Sequence, residues 1–198
     1  KMYERGCWRP RNAAEMRRYI RQELRAFRRQ GVAVNQGRIK ALASMLEDEL
    51  FIPDKVISAQ AEARKQYINL RNGLFNLSTF QMEAHTADLY FTTQLDFDFD
   101  EGAACPTFNR YLNTSLVLPN GKPDFSLVWL VKQALAYSMT ARTDMKASFW
   151  LVGEKDSGKS TFISVIKGLM GDLHATIDLT QLATNRFILA SAVGKRVI

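Results

Sequence analysis

The sequence predicts a mixed chain, α+β passing into α/β: a helical and mixed α/β domain followed by the first part of a second domain built on a strand, a glycine-rich loop and a helix. Three observations predict it. Apolar residues recur at helical spacing through the N-terminal part. An alternating apolar run surrounds Asn72-Gly73, the strongest short-range hairpin signal. Further on, Gly153, Gly158, Lys159 and Ser160 fill every fixed position of the pattern G-x-x-x-x-G-K-S/T. The expected division is residues 1–105, helical plus mixed α/β; 106–145, a helical platform; and 146–198, the N-terminal part of the loop-bearing domain.

With 198 residues, 46% of them hydrophobic, the chain can bury a core in one large or two small domains. No uninterrupted apolar segment approaches the roughly 20 residues needed to cross a bilayer, so no membrane partner is expected. The N-terminus is Arg-rich and lacks an apolar signal core. Cys7 and Cys105 are isolated and lack metal-ligand spacing, which suggests reduced thiols in a cytoplasmic protein. The net charge of +7 is concentrated in residues 1–30, where Lys1 and nine arginines face only Glu4, Glu15 and Glu23. Such clustering suits a polyanion, because binding releases its counterions.

The elements follow in order. From Asn12 to Gln30, Met16, Ile20, Leu24 and Phe27 form one buried stripe of an amphipathic helix that stops at Gly31. Arg17, Arg21, Arg25 and Arg28 run beside that stripe, and Arg18 and Arg29 extend the basic face. This face is a nucleic-acid surface, a solvated face, or one that pairs with acidic residues of a neighbouring subunit. A second helix spans Asn35 to Leu50, with Ile39, Leu42, Leu46 and Leu50 apolar, and ends before Pro53. Asp54 is expected to cap a third helix running from Val56 to Tyr67. Residues Ile68 to Leu77 form the Asn-Gly hairpin, and Leu89 to Phe99 another extended stretch.

Within the segment Asp96 to Gly102, a calcium loop is excluded because its sixth and twelfth positions are Glu101 and Thr107. A D-x-D metal pair has the right strand geometry but lacks further clustered carboxylates, so a half-buried strand with Phe inward and Asp outward is the reading preferred. Helices are expected from Thr107 to Leu118 and from Phe125 to Thr140, around the turn Pro119 to Pro123.

Residues Ala147 to Val152 read as a buried strand, and Ser160 to Leu169 as a helix with Phe162, Ile163, Ile166 and Leu169 apolar. Between them lies the loop Gly153, Glu154, Lys155, Asp156, Ser157, Gly158, Lys159, Ser160 and Thr161, the expected nucleotide-binding residues. Its glycines let backbone amides converge on a phosphate, Lys159 can reach the outer phosphates, and the Ser160 hydroxyl can ligate Mg2+. ATP and Mg2+ are therefore the expected ligands, with Lys159 and Ser160 carrying the chemistry. Because only 39 residues follow Lys159, the motor is expected to be truncated and incomplete for hydrolysis.

The order Asn72-Gly73, His85-Thr86, Tyr90-Phe91-Thr92, Asp98-Phe99-Asp100, Ala104 to Phe108, the Leu135 to Thr140 helix end and Phe149 to Gly153 resembles the phage and plasmid primase-helicases of helicase superfamily three. The resemblance covers roughly residues 66–198, with the helical N-terminal third fitting loosely. It implies a collar-type domain shared with the poxvirus primase-helicase, ahead of an AAA+-like hexameric DNA helicase core. It further implies single-stranded or forked DNA and a homo-oligomeric ring as partners, and the host cytoplasm as location. The loop departs from the family in having Lys155 and Ser157 where a second glycine and an Asn are common. The family's acidic strand, polar sensor and arginine finger would lie after Ile198. The expected function is thus part of an ATP-dependent DNA helicase. The alternatives are a collar or single-stranded-DNA-binding module without its own ATPase, or another P-loop ATPase such as a helicase loader.

Overall fold

The computed structural model describes residues 1–28, 35–49, 51–185 and 187–198. Arg29, the helix stop at Gly31 and the apolar position Leu50 lie outside the described residues, as do the side chains of Phe27 and Arg28. The chain is mixed α+β and divides into two compact units, residues 1–62 with 86–92, and residues 63–85 with 93–198.

The first unit opens with an antiparallel hairpin, β1 (Met2–Glu4) and β2 (Cys7–Arg9), turned by Arg5 and Gly6 at φ 47° and 84°. Two consecutive positive φ values match the right-handed twist of the strands. Trp8 anchors the hairpin: its indole N–H donates to the Ala87 carbonyl at 2.8 Å, and its ring lies against Tyr3 and Tyr90. Helix α1 (Ala13–Arg28) begins with a reciprocal cap, in which Glu15 N–H donates to Asn12 Oδ1 at 2.8 Å and Asn12 N–H to Glu15 Oε2 at 3.2 Å. The expected stripe is present, with Ile20 buried and Met16 and Leu24 half-buried. Helix α2 (Gln36–Glu49) is capped by Asn35 and packs on α1, burying Ile39, while Leu46 stays at the surface.

The expected third helix is shorter and broken, into α3 (Asp54–Ala59) and α4 (Ala61–Arg64). Pro53, and not Asp54, holds the cap position, and Tyr67 belongs to a strand. Pro53 lacks an N–H and has its φ pre-set for a helix start, so Asp54 falls one place inside the first turn.

In the second unit β3 (Tyr67–Leu70), β4 (Gly73–Asn76) and β5 (Gln81–Glu83) form an antiparallel meander. Leu70 pairs with Gly73, so the turn residues are Arg71 and Asn72, one place before the Asn-Gly centre the sequence suggests. Gly73 is needed for close approach: a Cβ there would lie 2.6 Å from the Glu83 carbonyl oxygen.

The stretch 89–99 is not a strand. Leu95 makes a single parallel bridge to Leu70, two backbone bonds hold the segment (Leu95 N–H to the Asn69 carbonyl at 2.9 Å and Arg71 N–H to the Phe97 carbonyl at 3.1 Å), and side chains add to them. Asn72 exchanges two 2.9 Å hydrogen bonds with the Phe99 backbone, and Arg71 grips the Asp98 carboxylate with two N–H donors, each at 2.9 Å. Phe97 is half-buried while Asp96 and Asp98 are exposed, so Phe97 follows the expected alternation without a ladder.

Helices α5 (Pro106–Ser115), α6 (Phe125–Met139) and α7 (Lys159–Met170) match the expected segments, Asp124 capping α6 through a 3.1 Å bond from Leu127 N–H. The core joins Ile68, Leu70 and Leu95 to Met170 and Leu173, with Phe75, Phe97 and Ile166 against them. The small sheet thereby seats the C-terminal end of α7.

Residues Ala147 to Val152, expected as a buried strand, pair with no strand among the described residues and are exposed, Trp150 at 80% and Val152 at 90%. An apolar run forms a strand only where another strand offers N–H and C=O partners. At the far end, Val197 bridges His174 in parallel, and Arg196 places its guanidinium half-buried beside the Met139 carbonyl at 3.1 Å. Burial lowers the Arg196 pKa from its ordinary value.

Candidate functional site: the glycine-rich loop

Residues 153–160 curl tightly onto the start of α7. Asp156 and Gly158 take the left-handed conformation, at φ 61° and 87°, and Gly158 is the N-cap of α7. A Cβ on Gly153 would stand 2.9 Å from Ser157 Oγ, so a larger residue there would have to turn that hydroxyl aside. Lys159 turns its ammonium back across the loop, donating to the Gly153 carbonyl at 2.9 Å and to Ser157 Oγ at 3.0 Å, with Glu154 O also within reach.

This brings Gly153, Glu154 and Ser157 together around the Lys159 ammonium. Glu154, Lys155, Asp156, Ser157, Ser160 and Thr161 are exposed, and Phe162 is buried under them as the first apolar anchor of α7. The uncapped amides at the start of a helix carry a positive partial charge and are free to receive an anion. The arrangement fits a phosphate group: a tight loop with left-handed Gly158, a helix start and one long-stemmed ammonium. For a divalent cation the chain offers Ser160; among the described residues no group of three His, Cys, Asp or Glu side chains could hold a metal ion. An ion bound mainly by nucleotide phosphates with a few protein oxygens is what Mg2+ accepts.

Sequence reasoning missed Tyr111. This residue of α5, 47 positions before Gly158, donates its phenol to the Gly158 carbonyl at 2.7 Å. Burial raises the Tyr111 pKa, against opposing bonds from the Phe162 amide and the Ser115 hydroxyl, so the phenol is protonated and able to donate at neutral pH. Nothing in the local sequence pattern points to this contact, because it depends on how α5 lies against the loop.

Beside α7 runs a cavity of about 790 Å3 lined by Leu135, Phe149, Leu151, Phe162, Ile166 and Val197. In the first unit, Arg18, Arg21 and Arg25 of α1 are exposed and Arg17 is half-buried; none of the four has a carboxylate partner among the described residues. The D-x-D reading finds no support, since Asp98 is held by Arg71. Cys7 is buried and Cys105 exposed, and the two form no disulfide. No described helix is long and apolar enough to cross a membrane.

Residues 1–117 match the family model described as D5 N terminal like. The match takes in the helical N-terminal third, where the resemblance read from sequence was loosest, and includes all of α5 with Tyr111. No curated protein matches the chain.

Proposed function

Because the chain belongs to the D5 N-terminal-like family, the N-terminal domain of phage and viral primase-helicases, we propose that it serves DNA replication as part of an ATP-driven helicase whose nucleotide site is the 153–161 loop. The observation that carries this reading is the loop itself, with the Lys159 ammonium drawn into a mouth lined by Gly153 and Ser157. In this proposal ATP phosphates take the place of those carbonyl and hydroxyl partners, Lys159 neutralises the outer phosphates, and Ser160 ligates Mg2+. Phosphoryl transfer depends mainly on such positioning and charge neutralisation. AAA+-like architecture, superfamily-three membership and a hexameric ring belong to the same proposal.

Lys159→Ala tests it. Loss of a charge-assisted hydrogen bond should weaken MgATP binding by about 10- to 100-fold with the fold unchanged. Calorimetry showing unaltered affinity in the folded variant would refute the assignment.

A second reading, a single-stranded-DNA-gripping or assembly module, is favoured by the exposed arginines of α1. Replacing Arg17, Arg21 and Arg25 with Gln should flatten the salt dependence of single-stranded DNA binding by a slope of about 2. An unchanged slope would assign α1 a solvated or assembly face instead.

A further inference from the structure

Gly158 differs from three of the other positive-φ glycines and, unlike Gly73, is crowded by an aromatic side chain. A Cβ on Gly121, Gly171 or Gly194 would meet nothing within 4 Å, whereas one on Gly158 would stand 2.9 Å from Tyr111 Cε2 and 3.2 Å from both the Tyr111 hydroxyl and Ser115 Oγ. Those three glycines serve backbone conformation alone; Gly158 also admits an aromatic ring against the loop. That ring is held from behind by Phe108, stacked at a centroid distance of 6.1 Å and an interplanar angle of 29°.

The Gly158 carbonyl has two donors, the Tyr111 hydroxyl at 2.7 Å and the Phe162 amide at 3.0 Å. A trans peptide is planar, with its C=O and N–H pointing in opposite directions. Fixing the Gly158 carbonyl therefore fixes the amide of Lys159, which is the first N–H of α7 and has no acceptor within the helix.

We propose that Tyr111 is a positioning residue for the phosphate site: by holding the Gly158 carbonyl it aims the Lys159 amide into the loop, where a phosphate would receive it. The proposal rests on the reading of the loop as a phosphate site. A phosphate accepting from the Lys159 N–H polarises the peptide and makes the Gly158 carbonyl a better acceptor for the phenol. By linkage the phenol bond and phosphate binding then strengthen each other.

The test uses the full chain and its Tyr111→Phe and Lys159→Ala variants, titrated calorimetrically with MgATP, magnesium pyrophosphate and adenosine. Tyr111→Phe keeps the ring and should weaken both phosphate ligands about 3- to 10-fold while leaving adenosine unchanged. In the unmodified protein carrying 13Cζ-labelled tyrosine, the Tyr111 resonance should shift on adding magnesium pyrophosphate, and in Lys159→Ala the same shift should need about 10- to 100-fold more ligand. This second measurement decides the matter even if Tyr111→Phe folds poorly. Equal phosphate affinity in Tyr111→Phe, equal loss for adenosine, or an unmoved resonance would overturn the positioning role while leaving the phosphate site standing. Failure of the unmodified protein to bind either phosphate ligand would remove the site itself, and the positioning role with it.

Discussion

Two apolar regions of the second unit, residues 67–83 with 93–99 and residues 147–152, carry the same extended signal in sequence and meet different fates. The first has three paired strands, and its trailing segment is fastened to β3 and the Arg71-Asn72 turn by two backbone bonds and by side chains, with Leu95 2% exposed. The second has no neighbouring strand among the described residues, and Trp150 and Val152 are largely exposed. Apolar content alone does not make a strand; a ladder, or side chains that substitute for one, must satisfy the backbone. The contrast also separates the core from the proposed phosphate site, since the fastened stretch holds the core and the unfastened one leads into the loop.

Truncation should separate the two most sharply. Leu95→Ala is expected to cost about 2–5 kcal/mol, read as a fall in the denaturation midpoint, whereas Trp150→Ala should stay within about 0.5 kcal/mol. Equal losses at the two sites would break the comparison, because they would mean that Trp150 is covered.

A smaller effect is expected at the turn. Gly73→Ala must push the Glu83 carbonyl aside and should destabilise by about 1–3 kcal/mol, with the amide exchange of β4 and β5 rising before that of α6. Global exchange at one rate would show that the meander does not open separately.

The smallest effect is electrostatic and sharpens the account of the fastening. Through its hydrogen bonds the Arg71 guanidinium holds the Asp98 carboxyl below the usual carboxylate range. A depressed native pKa contributes stability that is present above the unfolded value of about 3.9 and is lost as pH falls through the lower native value. Asp98→Asn should remove that acid-limb slope. An identical acid profile in the variant would mean that the exposed pair only orients the segment.

Much of this was legible in advance. The α1 stripe of Met16, Ile20 and Leu24, the hairpin near Asn72, helices α5 to α7 and the glycine-rich loop all rest on local periodicity or short motifs. The β1–β2 hairpin was not read, because three-residue strands show too little alternation and Trp8 is fixed by Ala87, far along the chain. The Asp98 clamp and the Tyr111 contact were equally hidden, each joining residues 27 or 47 positions apart.

By itself the sequence determined where helices form, where the chain must bend through glycine, and which residues could cradle a phosphate, since these depend on neighbours within a turn or two. Tertiary structure alone decided which apolar run is covered, which carboxylate is engaged, and that Tyr111 stands on Gly158. Those outcomes depend on which distant group supplies the missing hydrogen-bond partner or fills the space beside a missing Cβ, and no local pattern encodes that.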